Sequence, residues 1–214
     1  MTESENADVL QELARLPTIA HPTASPAGEE IVFYYNETGR NESYVLDIKT
    51  GEREQWSDGK VPRNAQWFIR WDSDGERVFF HRDEEGDEQN DIYAIDRAGE
   101  VDPVIRSAGQ NVLQDIGPDG ESLLVGSSRE GQMNCYRHDL AEDRTTKLTD
   151  YEPAAMAGTL SPDGERLLVA DNTEDRMRCG VYDLESESIR WLGDRTHEKA
   201  PAAFTEDGTR VLGT

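Results

Sequence analysis

"SPDGERLLVA" occupies residues 161–170, and close variants of it recur along the chain. They are "SPAGEEIVFY" (25–34), "DSDGERVFFH" (72–81), "GPDGESLLVG" (117–126) and "TEDGTRVLGT" (205–214). Each variant reads as a tight turn followed by an apolar run. Aspartate side chains bond nearby backbone amides in such turns, and the glycine accepts a positive φ. A short continuous apolar run fits a strand covered on both faces. The glycines closing the turns, Gly28, Gly75, Gly120, Gly164 and Gly208, are spaced 47, 45, 44 and 44 residues apart. A period of this size marks a repeat array, which has to be settled before any local assignment.

The second unit shows what one repeat contains. "WFIRW" (67–71) is short, aromatic and β-prone, and "RVFFH" (77–81) follows the turn. A polar loop leads to "DIYAID" (91–96), and the turn "RAGE" precedes "VDPVI" (101–105). Matching third strands are "SYVLD", "NCYRHD" and "CGVYD", closing on Asp47, Asp139 and Asp183; fourth strands fall at 53–56, 145–149 and 188–192. Four antiparallel strands per period of about 45 residues is the pattern of a β-propeller blade. Such a sheet has two apolar faces and becomes stable only when neighbours stack on it. The fold is therefore read as all-β. A segment over 1–17 precedes a propeller over 18–214, with blades at 18–58, 64–106, 110–149, 155–193 and 199–214. In this reading Asp74, Asp119, Asp163 and Asp207 are turn formers, as are the strand-closing Asp47, Asp96, Asp139 and Asp183.

Four complete units and half of a fifth predict an incomplete ring, because closure is what removes sheet edges. The chain is accordingly expected to be the front part of a longer protein. At its start, "VLQELARL" places Val9, Leu13 and Leu16 on one face of a short helix that Pro17 ends. No blade needs this helix; its apolar stripe seeks a partner outside the array, or the side of the first blade.

Composition narrows the partners. The 214 residues include 45 Asp+Glu against 22 Lys+Arg, a formal net charge of −23. Nucleic-acid phosphates and anionic lipid would both be repelled. The cations include only Lys49, Lys60, Lys147 and Lys199 as lysines. This balance resembles proteins of salt-accumulating halophiles, whose carboxylate surfaces stay soluble when salt screens their repulsion. No apolar run has the length of a membrane span, and the acidic amino terminus lacks the form of a secretory signal, so a cytoplasmic address is expected. Cys135 and Cys179 stand 44 residues apart, in equivalent places of neighbouring units. Equivalent Cα atoms of adjacent blades should lie roughly 10 Å or more apart, beyond the ~7 Å reach of a disulfide, so both are read as free. Trp56, Trp67, Trp71 and Trp191 fall in or beside strands and are read as blade packing.

Candidate chemistry is sparse. The stretch "RDEEGDEQND" (82–91) has alternating carboxylates, but a calcium hand needs glycine sixth and glutamate twelfth. Counted from Asp83 those places hold Glu88 and Ala94, so no metal is expected. A solvated acidic hairpin remains, or a contact to a cationic substrate or another domain. No Cys/His spacing fits zinc, and the glycine clusters are hairpin turns, not phosphate loops; no cofactor is expected. The nearest approach to a nucleophile elbow is Gly126-Ser127-Ser128-Arg129-Glu130, which lacks the final glycine and leaves a strand for a hairpin. His21, His81, His138 and His197 fall in separate units, so no catalytic set is read.

The turn "SPDGERLLV", the strand "DIYAID", the closing "TTKLT" and the near-44 spacing resemble the WD-like propeller repeats shared by two groups. One is the amino-terminal propeller of the prolyl oligopeptidase family of serine peptidases, especially its acylaminoacyl-peptidase-like and dipeptidyl-peptidase-like members. The other is the TolB-like propellers. Two features favour the peptidases. "DEEGDEQNDIYAID" (83–96) is similar to an acidic loop and strand common in their early blades, with Asp87, Glu88, Asn90, Tyr93 and Asp96 in place, although Gln89 and Asn90 stand one position off the usual order. A short helix before the first blade also resembles that family. The resemblance implies a non-catalytic propeller that caps an α/β-hydrolase domain and admits short peptides. It places Glu88, with Asp87 and Asn90, as contacts for a peptide's amino end. The serine, aspartate and histidine would belong to the hydrolase domain, absent from this sequence. The alternative is a stand-alone TolB-like or WD-like propeller that binds a protein partner.

Overall fold

The computed structural model describes residues 16–63, 67–83, 89–150, 156–171, 177–194 and 196–213. The segment 1–15, which carries most of the expected helix, lies outside them. Among the described residues every regular element is a strand.

The first sheet holds β1 (Ile19–Ala24), β2 (Glu30–Tyr35), β3 (Glu42–Asp47) and β4 (Arg53–Gln55). The second holds β5 (Arg70–Trp71), β6 (Arg77–Asp83), β7 (Asn90–Asp96) and β8 (Val101–Ile105). The third is β9 (Asn111–Ile116), β10 (Ser122–Ser127), β11 (Asn134–Asp139) and β12 (Arg144–Lys147), and the fourth β13 (Met156–Leu160), β14 (Arg166–Asp171), β15 (Arg178–Asp183) and β16 (Ser188–Trp191). A fifth sheet pairs β17 (Pro201–Phe204) with β18 (Val211–Gly213). Every four-stranded sheet is an antiparallel meander in chain order. Sheets meet their sequence neighbours through first strands, β1 beside β5, β9 beside β13 and β13 beside β17. This is a β-propeller of four-stranded blades, as the repeat predicts.

Strand alternation explains how the apolar runs serve two interfaces at once. On β6, Val78 and Phe80 enter the layer shared with the first blade, while Phe79 enters the layer shared with the third. On β10, Leu123 and Val125 face the second blade and Leu124 faces the fourth. Likewise Leu167 and Val169 of β14 face back, and Leu168 faces the fifth sheet. Successive side chains point to opposite faces, so a strand sandwiched between blades must be apolar at every position. Fully burying one such side chain contributes roughly 1.5–3 kcal/mol.

Cys135 and Cys179 are buried and form no disulfide, in the layers before and after the fourth blade respectively. Trp56 and Trp71 meet edge to face at 5.4 Å between the first two blades.

The repeated turn works by side-chain capping. Asp119 Oδ1 accepts the backbone N–H groups of Glu121 (3.0 Å) and Ser122 (3.1 Å). Asp163 accepts from Glu165 N (3.1 Å) and the Ser161 hydroxyl, and Asp207 from Thr209 N (3.0 Å) and Thr205 Oγ1 (2.6 Å). The second blade's turn carries two aspartates, Asp72 and Asp74. There Asp72 caps the turn, accepting from Glu76 N (3.0 Å) and Arg77 N (3.3 Å). Its "DSDG" has an acid at the first position, where the other turns have Ser, Gly or Thr. The strand-closing aspartates cap the outer hairpins: Asp47 accepts Lys49 N and Thr50 N, Asp96 Ala98 N and Glu100 N, Asp139 Ala141 N and Glu142 N, and Asp183 Ser186 N.

Candidate functional site

The meander puts the capped turns at one end of the blades. At the opposite, upper end lie the loops joining second to third strands and the crossings from one blade to the next. The acidic stretch 84–88, with Asp87 and Glu88, lies outside the described residues. Asn90 is described: it is buried as the first residue of β7, opposite Asp83.

The residues flanking Asn90 tie the second blade to the third. Gln89 Oε1 accepts the N–H of Gly109 at 3.1 Å, and Asp91 Oδ1 accepts that of Ser107 at 3.3 Å. Arg106 approaches Asp91 at 3.6 Å. Ser107 Oγ in turn donates to Asn111 Oδ1 at 2.9 Å. Asn111 is fully buried at the start of β9, and the same oxygen also accepts from Ser127 Oγ (2.8 Å) and Arg129 Nη2 (3.2 Å). The segment 126–130 therefore meets the arm that carries Asn90, around one buried amide.

This geometry assigns Ser127 a structural role. Its buried hydroxyl donates to Asn111 and accepts from Arg129 N (3.2 Å) and Nε (3.1 Å); no histidine is among those partners. Beyond it the chain turns through Gly131, whose N–H donates to Ser128 O, and enters β11 as a hairpin. An activated serine needs a base within hydrogen-bond reach and an exposed oxygen.

The histidines are likewise engaged in structure. His81 is buried on β6, and its Nε2 accepts the N–H of Leu113 on β9 at 2.8 Å. Burial pushes its pKa down to about 4, so the ring is neutral with its proton on Nδ1. His138 is buried on β11, 3.0 Å from Thr145 Oγ1 through Nδ1. Burial lowers its pKa; Asp143, 3.8 Å from Nε2, opposes that and Arg129 adds to it. His21 contacts Phe68 edge to face at 5.5 Å, and His197 bonds Asp194 at 3.1 Å on the surface. Among the described residues no group of three His, Cys, Asp or Glu side chains could hold a metal ion.

Arg129 is the feature that sequence reading passed over. Its guanidinium lies over the Tyr136 ring at 4.9 Å and is held by the neutral groups of Ser127 and Asn111. Burial lowers its pKa, with Tyr136 and Glu130 opposing. It stands at one side of a groove of about 350 Å3 between the outer strands of the second and third blades, with Val104, Arg106, His138, Asp143 and Thr145. A signal for that outer hairpin did exist. Asp143 and Glu187 adopt φ of 48° and 52° where the first two blades place Gly51 and Gly99, at 73° and 75°.

Residues 4–212 match the family model described as TolB beta propeller domain. No curated protein matches the chain by sequence. The fold is similar to TolB from Acinetobacter baumannii, at 24% identity and a TM-score of 0.70, covering 91% of this chain and 48% of that one. It is similar as well to a puromycin-hydrolyzing peptidase of Mycobacterium tuberculosis, at 16% identity and a TM-score of 0.66, covering 92% and 38%. An acylaminoacyl peptidase bound to Z-Gly-Gly-Phe-chloromethyl ketone aligns at 18% identity and a TM-score of 0.55, covering 86% and 34%. The chain thus spans about half the length of the TolB structure and little more than a third of the peptidases.

Proposed function

The chain belongs to the TolB beta propeller domain family, and from that premise we propose that it is the non-catalytic, substrate-gating propeller of a serine peptidase resembling prolyl oligopeptidase. In this reading an α/β-hydrolase domain supplies the serine, aspartate and histidine. The propeller sits over that site in the cytoplasm and admits short peptides by size and charge. Glu88, with Asp87 and Asn90, attracts the peptide's amino group. Alone, the propeller hydrolyses nothing.

The observation that supports a covering domain is the likeness of the fold to a puromycin-hydrolyzing peptidase and an acylaminoacyl peptidase, with this chain spanning 38% and 34% of their lengths. The test is to read the gene beyond codon 214, in frame and in the shifted frames, for a segment carrying G-x-S-x-G. Its presence supports the peptidase reading, and its absence removes it. Cleavage of peptide p-nitroanilides by the purified chain would overturn the non-catalytic role itself.

A stand-alone propeller that binds a protein partner is the second reading. The family match and the likeness to TolB support it without requiring a hydrolase segment. Its signature is a protease-resistant monomer, with no G-x-S-x-G downstream.

A further inference from the structure

A groove lies between the outer strands of the second and third blades. One wall is the apolar strand end at Val104 and Ile105, and the other is His138 and Thr145. Arg129 stands beside it with donors in excess. Nε and Nη2 each make one bond, to Ser127 and Asn111, and neither partner is charged. A guanidinium has five N–H donors in a planar fork that matches a carboxylate bidentately.

The next groove offers a comparison, although its cation stands on the opposite wall, at the place Pro103 takes here. The equivalent groove one blade later has Lys147, Tyr182 and Glu187 in its lining. There the cation is neutralised, since Lys147 Nζ lies 3.0 Å from Glu130 and 2.6 Å from Asp150. Arg129 instead hydrogen-bonds neutral acceptors, and Glu130, which pairs with Lys147, acts on it through space. A second observation agrees. The hydroxyl of Tyr136, whose ring carries the Arg129 guanidinium, is buried with no hydrogen-bond partner. The carboxylate in the groove lining, Asp143, is directed to His138 and is 89% exposed.

We propose that this groove binds a carboxylate next to an apolar group, as in an N-acylated amino acid or the carboxyl-terminal residue of a peptide. Arg129 receives the carboxylate and the wall at Val104 takes the apolar side chain. Half-burial strengthens the charge-assisted pair relative to an open surface. The site holds under either reading of the whole protein's function, because it uses neither the acidic stretch nor the fifth sheet.

The probes are N-acetyl-leucine and acetyl-Ala-Ala-Leu, each beside its carboxyl amide, titrated while following the Arg129 Nε–H and His138 ring signals by NMR. Saturable shifts with the acids, absent with the amides, are expected, with affinity falling as KCl rises. Tighter binding of the tripeptide marks a peptide terminus as the ligand, and equal binding marks a small acid. R129Q should weaken binding by roughly tenfold or more, and R129K should recover only part of it, because the fork is lost. P103E, which sets a carboxylate at an exposed position of the groove lining without touching Arg129, should abolish binding in a protein whose remaining spectrum is unchanged. Equal shifts from the amides, or the same shifts from chloride alone, overturn the proposal.

Discussion

His81 on β6 accepts the backbone N–H of Leu113 on β9 through Nε2 at 2.8 Å, so an imidazole links the second blade to the third. The bond needs the neutral ring, and burial already holds the pKa down to about 4. The unfolded ring titrates near ~6.5. A depressed pKa means that the unfolded state takes up the proton first. The contribution is complete above about pH 6.5, is lost as pH falls towards 4, and changes no further below that. The full change is on the order of 3 kcal/mol. H81L should cost ~1–3 kcal/mol at pH 7, because Leu113 N–H loses its acceptor. It should also flatten stability between pH 6.5 and 4 relative to wild type. Urea unfolding of both proteins at pH 7, 5.5 and 4.5 measures this. Parallel pH profiles would remove the inter-blade role of His81.

Gly120 has φ of 70°, and a Cβ built on it would stand 2.7 Å from the side chain of Ser73 in the preceding blade. Gly28, in the equivalent turn of the first blade, has φ of 68° with nothing within 4 Å. The pair separates two penalties that usually occur together. G28A should cost only the left-handed backbone strain, about 1 kcal/mol. G120A adds a clash between blades and should cost roughly 1–3 kcal/mol more. S73G should return part of that second loss in the double variant, since the two sites touch. Thermal unfolding of the four variants tests it; equal losses at the two glycines would contradict the close approach.

What the sequence made legible is what repetition encodes. Gly28 to Gly208 mark the period, and the runs "RVFFH" and "SLLVG" could be read as two-faced strands because their consecutive central positions, 78–80 and 123–125, are all apolar. In the second blade's "DSDG" two aspartates stand two residues apart, and spacing identifies the turn but not which carboxylate reaches the amides; Asp72 does. The polar corner was illegible for a different reason. Asn111, Ser127 and Arg129 are 16 and 2 residues apart and share no motif. They meet only because the crossing into β9 and the β10–β11 hairpin fall at the same end. A lysine paired with carboxylates and an arginine bonded to neutral groups also look alike until the side chains around each are placed.

His138 reports on the charges around it. Burial lowers its pKa first, Asp143 raises it, Arg129 lowers it and Asp139 raises it. Removing the guanidinium in R129Q should therefore raise the His138 pKa. D143N should lower it further, because the carboxylate 3.8 Å from Nε2 favours the charged ring. The two changes have opposite signs, which a general loosening of the blade would not produce, since added solvent raises the pKa in both. An NMR titration of the ring between pH 4 and 8 reads both values. A rise in D143N would show that Asp143 does not act on the ring.

The net charge of −23 carries a prediction for salt. Many close ion pairs are exposed at the surface, such as Lys49 with Glu29 and Arg144 with Glu142, and such pairs contribute roughly 0–1 kcal/mol each. Screening weakens them only slightly, while it relieves repulsion among carboxylates that outnumber cations about twofold. The balance favours the folded state, so Tm should rise steadily as KCl goes from about 0.1 M, with a Debye length of ~10 Å, to about 1 M, where it is ~3 Å. Differential scanning calorimetry at constant pH measures the slope. Replacing KCl by an equal osmolarity of sucrose separates charge screening from preferential exclusion, which stabilises burial with or without charge. A flat Tm in KCl would mean that the carboxylates are too far apart to repel, and the resemblance to a salt-adapted composition would then carry no physical consequence.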